Sequence, residues 1–370
     1  MGSHTILGLI FANTFEETVP QLTAYRTMGS VPFGGKYRLI DFPLSNFSNS
    51  GINNVGIITK SNFLSLMDHL GSGNAWDLAK RRSGLTVLPP YHGHNFNSIV
   101  EALYNLHGFI EHGNEEYVLI DHAGYVSNID CRKILEFHEA NDADITFVYS
   151  KKSFNCETKV EGSAIKVDEN GKVTKILLPS TVDTDDAYVT GTFIMRKDTL
   201  MKVVRELVAE NKTNFNKYFL MPYFDNLKIY AYENKNYFSL ITSMKDYYRT
   251  SMELMDPLVR ADLFNPKRPI YTKVRDDIPS RYGLESSVKG SLIAQGCTID
   301  GIVENSIISK GVRIGKGAHI KNCIIMQDTI IGENTELSHI IIDKDVTISE
   351  GKTIIGCESY PMYIPKRSTV

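Results

Sequence analysis

Apolar residues recur at a fixed interval in the last quarter of the chain, and this repeat constrains the fold more than any other feature. Ile308, Ile325 and Ile342 lie 17 residues apart. Two further sets keep the same interval, namely Ile314, Ile331 and Ile348, and Val303, Ile320, Leu337 and Ile354. An amphipathic helix has an apolar period near 3.6 residues and does not produce this spacing. Three interlocking apolar registers predict a left-handed parallel β-helix of hexapeptide repeats, in which the inward positions of successive coils stack.

Glycines fall between the apolar positions of this repeat, where a three-sided coil must turn. They are Gly311, Gly315, Gly317, Gly332 and Gly351. Because glycine adopts positive φ without steric cost, we expect these five residues to form the corners of the coils.

Short apolar runs alternate with amphipathic helical patterns between residues 5 and 255. Runs such as "TILGLIF", "NVGIIT" and "EYVLI" have the composition of buried strands. Strands that alternate with helices predict an α/β domain with a Rossmann-like, mostly parallel sheet that is covered on both faces. Ligands of such domains bind beyond the carboxyl ends of the strands. The loops after Phe11 and Thr59 and around Asp121 are therefore the candidate walls of a site.

These two patterns define the predicted domain organisation. We expect the α/β domain over residues 1–255, a linker over 256–284 and the β-helix over 285–370. The linker contains four prolines and many charged residues without a clear period. Its interleaved Leu, Ile and Tyr residues indicate that it packs against the domains.

Composition excludes several classes of function. A net charge of -3 lacks the basic surplus of a nucleic-acid-binding protein. The chain has no apolar run near the roughly 18 residues of a membrane helix and no secretory signal pattern. Its five cysteines show neither a CxxC pair nor a zinc-ligand spacing. We therefore expect a cytoplasmic protein that binds neither nucleic acid nor a membrane.

The stretch "VPFGGKYRLIDFPLSNFSNSGI", residues 31–52, places two glycines and several charged residues next to an apolar run. Together with "YVTGTFI" and the C-terminal repeat, it resembles the bacterial ADP-glucose pyrophosphorylase family. The resemblance implies a nucleotidyltransferase-like α/β domain followed by a β-helix. It also implies a reaction, because members of that family use Mg²⁺ to join ATP and glucose 1-phosphate, giving ADP-glucose and pyrophosphate for glycogen synthesis.

The loop that holds the phosphates in that family differs in this chain. The family has a GGxGxRL sequence directly after the first strand, where bare backbone N–H groups approach the phosphates. This chain has "FANTFEETVPQL" in that place, and Glu16 and Glu17 add negative charge. The family's RAKP sequence, whose lysine meets the substrate phosphates, corresponds to residues 26–29, which places Met28 at the lysine position.

The metal and sugar-phosphate motifs differ as well. Asp121 matches one metal ligand of the family, in its GDH motif, whereas Leu240 stands at the second metal position. One carboxylate makes a poor Mg²⁺ site. The family's EKP and GTADA motifs correspond to residues 177–179 and 98–102, which read "LLP" and "SIVEA". We therefore predict no catalytic residue, with Asp121 as the residual candidate, and no metal or other cofactor bound by this chain. The residues of any nucleotide site stay unknown.

This pattern of loss resembles the D-type subunit that accompanies a catalytic partner in the glycogen pathway of certain bacteria. The resemblance implies a non-catalytic or weakly active regulatory subunit that forms a heterotetramer with, and activates, a catalytic homologue, which uses the Mg²⁺. Two alternatives remain open. The chain is a weakly active glucose-1-phosphate adenylyltransferase in its own right, or it is a stand-alone protein that senses a sugar phosphate. Assembly with copies of itself also remains open.

The resemblance also implies a site for a phosphorylated effector. Arg26 and Arg38 match arginines that line the effector site of the family, near the junction with the β-helix, and Ser65 is a weaker third match. Paired arginines bind phosphate well. The alternative is structural, namely an ion pair between Arg38 and Asp41 beneath the Gly34–Gly35 turn.

Overall fold

The computed structural model describes residues 5–80, 83–90, 96–151, 164–177, 187–274 and 276–370. The strands that precede the β-helix are β1 (Ile6–Phe11), β2 (Pro32–Phe33), β3 (Tyr37–Arg38), β4 (Asn54–Ile58), β5 (Leu85–Leu88), β6 (Tyr117–His122), β7 (Tyr125–Ser127), β8 (Ile145–Ser150), β9 (Ala164–Val167), β10 (Val173–Leu177), β11 (Ala187–Arg196), β12 (Ile229–Glu233) and β13 (Phe238–Leu240). The helices are α1 (Pro20–Thr23), α2 (Asp41–Asn49), α3 (Leu64–Leu70), α4 (Ile99–Asn105), α5 (His107–His112), α6 (Cys131–Ala140), α7 (Lys197–Ala209), α8 (Met244–Met252) and α9 (Pro257–Leu263). Within the described residues, no helix combines the length and apolar composition needed to cross a membrane.

The main sheet has nine strands among the described residues. Strands β5, β4, β1 and β6 lie side by side in parallel. Strand β11 runs antiparallel to both β6 and β8, and β8 pairs in parallel with β12. The predicted α/β fold is confirmed, with β11 as an antiparallel strand inside it. The parallel order brings Phe11, Ile58 and His122, the last residues of three strands, to one edge of the sheet.

Side-chain caps account for the starts of several helices. The Ser98 hydroxyl accepts the N–H of Glu101 at 3.1 Å and caps α4. Asp130 and Ser243 cap α6 and α8 in the same way. Such caps satisfy N–H groups that the first turn of a helix leaves without partners.

The C-terminal part is a parallel β-helix, as the 17-residue repeat predicts. Its strands are β14 (Arg281–Tyr282), β15 (Ser287–Lys289), β16 (Leu292–Ile293), β17 (Thr298–Ile299), β18 (Ile302–Glu304), β19 (Ile307–Ile308), β20 (Arg313–Ile314), β21 (His319–Lys321), β22 (Ile324–Ile325), β23 (Ile330–Ile331), β24 (Glu336–Ser338), β25 (Ile340–Ile342), β26 (Thr347–Ile348), β27 (Thr353–Ile355) and β28 (Met362–Ile364). Within residues 276–370 they form three five-stranded sheets. Ile308 pairs with Ile325, which pairs with Ile342, so each apolar register forms a buried ladder.

The glycines of the repeat have two different roles. Gly311, Gly317 and Gly351 have positive φ, as predicted. For Gly315 and Gly332 that prediction is wrong. A Cβ atom on Gly332 would lie 2.5 Å from the backbone nitrogen of Glu350, and one on Gly315 would meet the next coil at 2.8 Å. These two positions need glycine because successive coils approach closely.

The segment over residues 256–284 is tied to the α/β domain. It contains α9 and β14, so the first strand of the β-helix begins at Arg281. The side-chain amide of Asn128 donates to the carbonyl oxygens of Leu263 and Arg268, at 2.9 and 2.7 Å. The linker is therefore docked against the α/β domain rather than extended.

One apolar cluster joins the two domains. Its members include buried residues of the α/β domain and of the β-helix, among them Met28, Phe33, Leu39, Ile307, Ile324 and Ile341. The β-helix therefore packs on the segment that follows β1 and on the β2–β3 hairpin.

The two ends of the β-helix have different chain paths, and apolar side chains are exposed at both. At the C-terminal end the chain returns over the stack, where β28 pairs with β25 and the N–H of Ser349 donates to the carbonyl oxygen of Val370 at 2.8 Å. At the N-terminal end, apolar side chains of the first coil and its approach are 51% to 108% exposed. They are Val274, Ile278, Tyr282 and Leu284.

Candidate functional site

The segment after β1 covers the edge of the sheet at which the sequence predicts a site. The side-chain amide of Asn13 donates to the Glu16 carboxylate at 2.6 Å. The same Glu16 oxygen accepts the backbone N–H of Met28 at 3.2 Å. A carboxylate of the chain itself therefore binds two donors at this edge.

Burial and neighbouring charge act on Glu16 in opposite directions. Burial raises its pKa above the ordinary value, while the bonds from Asn13 and Met28 and the charge of Lys60 lower it. The Lys60 ammonium lies 5.1 Å from the centre of the Phe96 ring. Lys60 is therefore a nearby cation that favours a negative charge at this edge.

Phe15 covers the end of β6. Its φ of 63° lies in the left-handed region, which is unusual for a bulky residue. The Phe15 ring meets the His122 ring edge-on, with centroids 5.5 Å apart. The loop after β1 thus folds back onto the sheet, where the glycine-rich loop of the family leaves its backbone open.

Met28, at the position of the family's phosphate-binding lysine, is fully buried. It belongs to the apolar cluster between the domains, together with Val31, Leu39 and Met326. The side chain at this position therefore stabilises the domain junction.

Asp121 is buried at the end of β6, and both of its carboxylate oxygens accept hydrogen bonds. The Tyr125 hydroxyl donates to the two oxygens at 2.8 and 2.9 Å, and the Thr192 hydroxyl donates at 2.9 Å. Burial raises the pKa of Asp121 to about 7, although these bonds act to lower it. The backbone N–H of His122 also donates to it at 2.8 Å, so the partners of this carboxylate are two hydroxyl groups of the core and one backbone N–H.

The neighbouring His122 is held as a neutral imidazole. Its Nε2 donates to the carbonyl oxygen of Thr190 at 2.7 Å, and its Nδ1 accepts the N–H of Gly124 at 3.1 Å. Burial lowers the pKa of His122 to about 4. Both ring nitrogens are therefore occupied by backbone groups.

The remaining positions of the catalytic motifs are structural where they can be described. Leu240 is buried in β13 beside Tyr125 of β7. Ser98 and Glu101 cap α4, since the Glu101 carboxylate also accepts the N–H of Asn97 at 2.7 Å. Leu177 is buried, and Leu178 and Pro179 lie outside the described residues. Among the described side chains, no three His, Cys, Asp or Glu residues are grouped to hold a metal ion.

The stretch from Val31 to Ile52 forms the junction with the β-helix. Gly34 and Gly35, with φ of 57° and 83°, make the turn of the β2–β3 hairpin. A Cβ atom on Gly35 would lie 3.4 Å from the carbonyl oxygen of Ile308. The double glycine therefore provides the left-handed turn, and Gly35 lies in contact with the β-helix.

Arg26 forms a buried ion pair across this junction. Its Nη2 donates to both carboxylate oxygens of Asp343 in the β-helix, at 2.7 and 2.9 Å. The two side chains are 3% and 1% exposed. The Tyr363 hydroxyl donates to the same carboxylate at 2.7 Å. The charge of Arg26 is thus neutralised inside the protein.

The structure brings Arg38 and Ser65 together. The Arg38 Nη1 donates to the carbonyl oxygen of Ser65 at 2.6 Å and to its hydroxyl at 2.9 Å. Asp41 accepts the backbone N–H of Arg38 at 2.9 Å and contacts His69 Nε2 at 2.6 Å. The contact between Arg38 and Asp41 therefore uses the backbone of Arg38, and the guanidinium faces Ser65.

Lys344 is a cation of this region that sequence reasoning missed. Burial, together with the charges of Arg38 and Arg26, lowers its pKa to about 7. Lys344 follows Asp343 in the β-helix, hundreds of residues from the two arginines. The sequence has no motif around Lys344, and its position in the repeat is typical of a polar corner residue.

Comparison with known proteins adds two families and several relatives. The family described as "Nucleotidyl transferase" matches residues 19–256, and the one described as "GlmU-like, C-terminal hexapeptide" matches residues 278–360. The chain is 35% identical to glycogen biosynthesis protein GlgD of Bacillus subtilis, over 87% of this chain and 84% of that protein. It is 36% identical to GlgD of Geobacillus stearothermophilus, over 85% and 83%. It is 32% identical to glucose-1-phosphate adenylyltransferase of Clostridium botulinum, over 87% and 84%.

Proposed function

Since the chain belongs to the nucleotidyl transferase family, we propose that it acts in glycogen biosynthesis as a non-catalytic subunit of glucose-1-phosphate adenylyltransferase. In this proposal it assembles in the cytoplasm with a catalytic homologue and raises that enzyme's activity. The homologue makes ADP-glucose and pyrophosphate from ATP and glucose 1-phosphate. The observation that carries the proposal is the Glu16 carboxylate bound at the edge of the sheet where substrate phosphates would lie.

A phosphate site needs hydrogen-bond donors and positive charge. Among the described residues, this edge of the sheet has too few of either to bind a triphosphate. Glu16 takes the N–H groups of Asn13 and Met28. Phe15 packs on the His122 ring at the end of β6, and the Met28 side chain is buried. A bound triphosphate would meet a like charge within a few ångströms, which costs on the order of kilocalories per mole in a partly buried site.

The residues at the end of β6 do not fit a Mg²⁺ site. Mg²⁺ requires oxygen ligands in octahedral geometry, usually one or two carboxylates together with substrate phosphates. Asp121 binds the Tyr125 and Thr192 hydroxyls. Leu240 stands where the family has its second metal-binding carboxylate. We therefore assign the Mg²⁺ of the reaction to the catalytic partner.

The exposed first coil of the β-helix is the surface that we assign to assembly. Four apolar side chains, from Val274 to Leu284, are exposed there within a short stretch. Exposed apolar groups that lie together indicate a protein contact. A homologous partner carries an equivalent coil, and at the other end of this β-helix the chain's own C-terminal residues bond to the last coil. When the first coil of one chain contacts the first coil of another, the two surfaces are used up, so the contact forms a pair of chains and not a filament.

Sedimentation of the chain with the catalytic homologue from the same organism tests this assembly. We expect a hetero-oligomer. Leu284→Asp should weaken it, because the contact would then bury a charged carboxylate. Ile355→Asp is the matched control, since Ile355 is 58% exposed on the last coils. Absence of a complex, or equal effects of the two substitutions, contradicts the proposed surface.

We also propose that Arg38 and Lys344 bind a phosphate group of a regulatory metabolite. Ser65 orients the Arg38 guanidinium, and the positive charge of Arg38 acts on the neighbouring Lys344. An anion here would relieve the repulsion that lowers the Lys344 pKa. In calorimetry with fructose bisphosphate, Arg38→Ala should abolish binding, while Lys352→Ala, at an exposed lysine, should not. Equal binding by these two variants rules out this site.

A further inference from the structure

We infer that Glu16 is an internal anion that blocks a latent oxyanion site at the carboxyl edge of the sheet. Its carboxylate accepts the Asn13 amide at 2.6 Å and the Met28 backbone N–H at 3.2 Å, next to the Lys60 cation. An oxyanion of the size of phosphate binds to side-chain amide and backbone N–H donors that lie beside a cation. The site concerns this chain alone, so it does not depend on assembly with a partner.

The donors are held in place by bonds that do not involve Glu16. The Asn13 Oδ1 accepts the N–H of Lys60 at 2.7 Å, and its Nδ2 also reaches the carbonyl oxygen of Ser61 at 3.3 Å. Met28 begins a buried 3₁₀ turn. Removal of the Glu16 carboxylate should therefore leave preorganised donors rather than a collapsed loop.

The backbone of the loop brings Glu16 to these donors. Phe15 precedes it with a left-handed φ of 63°, and the Phe15 ring is anchored on His122. Glu16 then starts a short 3₁₀ turn, in which the N–H of Val19 donates to the Glu16 carbonyl oxygen at 3.4 Å. This conformation turns the Glu16 side chain inward, whereas its neighbour Glu17 is exposed.

The two neighbouring glutamates provide a matched test. Glu16→Ala removes the internal anion and makes room, and Glu17→Ala makes the same change of charge on the surface. The probe is inorganic phosphate, with binding measured by calorimetry and by the rise in Tm that a ligand of the folded state causes. We expect Glu16→Ala to bind phosphate at least about tenfold more tightly than the wild type, because a like charge at close range is removed. Glu17→Ala should match the wild type.

Two further measurements keep the test decisive. Glu16→Gln keeps the shape and loses the charge, so its phosphate affinity should fall between those of Glu16→Ala and the wild type. If Glu16→Ala does not fold, the phosphate affinity of Glu16→Gln relative to the wild type tests whether the Glu16 charge blocks the site. ATP is the second probe. A gain for phosphate alone assigns the site to a free oxyanion, and a gain for both assigns it to nucleotide phosphates. Equal phosphate affinity in all variants overturns the inference.

Discussion

Asp121 has the residue type of the family's metal ligand and the surroundings of a buried core group. Its carboxylate lies in the core, where burial raises its pKa to about 7 and hydroxyl donors act against that rise. A metal ligand needs an open coordination site, whereas these oxygens face Tyr125 and Thr192. At the scale of the residue, Asp121 is a buried titratable group of the core.

The pH dependence of stability should carry the signature of Asp121. Between about pH 4 and pH 7 the folded protein holds a proton on this group that the unfolded chain releases. Its contribution is therefore present at acidic pH and lost as the pH rises through about 7, a change of at most about 4 kcal/mol in the free energy of unfolding. We expect Asp121→Asn to flatten this dependence in urea unfolding at pH 5 and pH 8. Asp225→Asn, at an exposed carboxylate, should keep the wild-type difference, and an unchanged slope in Asp121→Asn contradicts the assignment.

The sequence could identify where this chain differs from the motifs of the family but not which groups lie in contact at those positions. The difference at Met28 is visible in the sequence, since a thioether cannot supply the positive charge of a lysine. The bond between Glu16 and the Met28 N–H is not, because it depends on the left-handed conformation of Phe15. Likewise, nothing in the sequence relates Lys344 to Arg38.

At the scale of elements, the β-helix was the most predictable part of the molecule. A repeat fixes the position of each residue relative to the coil above it, so the ladders of Ile308 and Ile314 follow from spacing alone. The close contact at Gly332 could not be predicted, because it depends on the distance between coils. The β2–β3 hairpin was recognised as a motif, yet its packing against Ile308 required the three-dimensional structure.

The alternation of inward and outward residues in β23 gives a test within one strand. Ile331 is 2% exposed and lies in a buried ladder, whereas its neighbour Ile330 is 44% exposed. We expect Ile331→Ala to lower the free energy of unfolding by about 2 to 5 kcal/mol through a cavity in the core. Ile330→Ala should cost less than about 1 kcal/mol. Comparable losses in chemical denaturation would contradict the inward register.

At the scale of the whole molecule, the junction between the domains holds the features that resemble a ligand site. The hairpin, the Arg26–Asp343 pair and the Arg38–Lys344 cations lie where the α/β domain meets the β-helix. A buried ion pair in that place couples the two domains, because either partner alone would be an uncompensated charge.

Removing one partner of the Arg26–Asp343 pair should be far worse than removing both. We expect Arg26→Ala to lower the free energy of unfolding by about 3 to 5 kcal/mol. The double variant Arg26→Met with Asp343→Leu should recover most of that loss, since no buried charge remains unpaired. Urea unfolding measures both. If the double variant loses as much stability as Arg26→Met and Asp343→Leu measured separately and added, the pair does not couple the domains.

The proposed function is tested directly by measuring ADP-glucose formation by the purified chain, alone and titrated with the catalytic homologue from the same organism. The proposed function predicts no Mg²⁺-dependent turnover by the chain alone and a higher rate or substrate affinity in the mixture. Robust turnover by the pure chain would contradict it, and would mean that substrate phosphates displace Glu16 and bind beside Lys60 and Asp121.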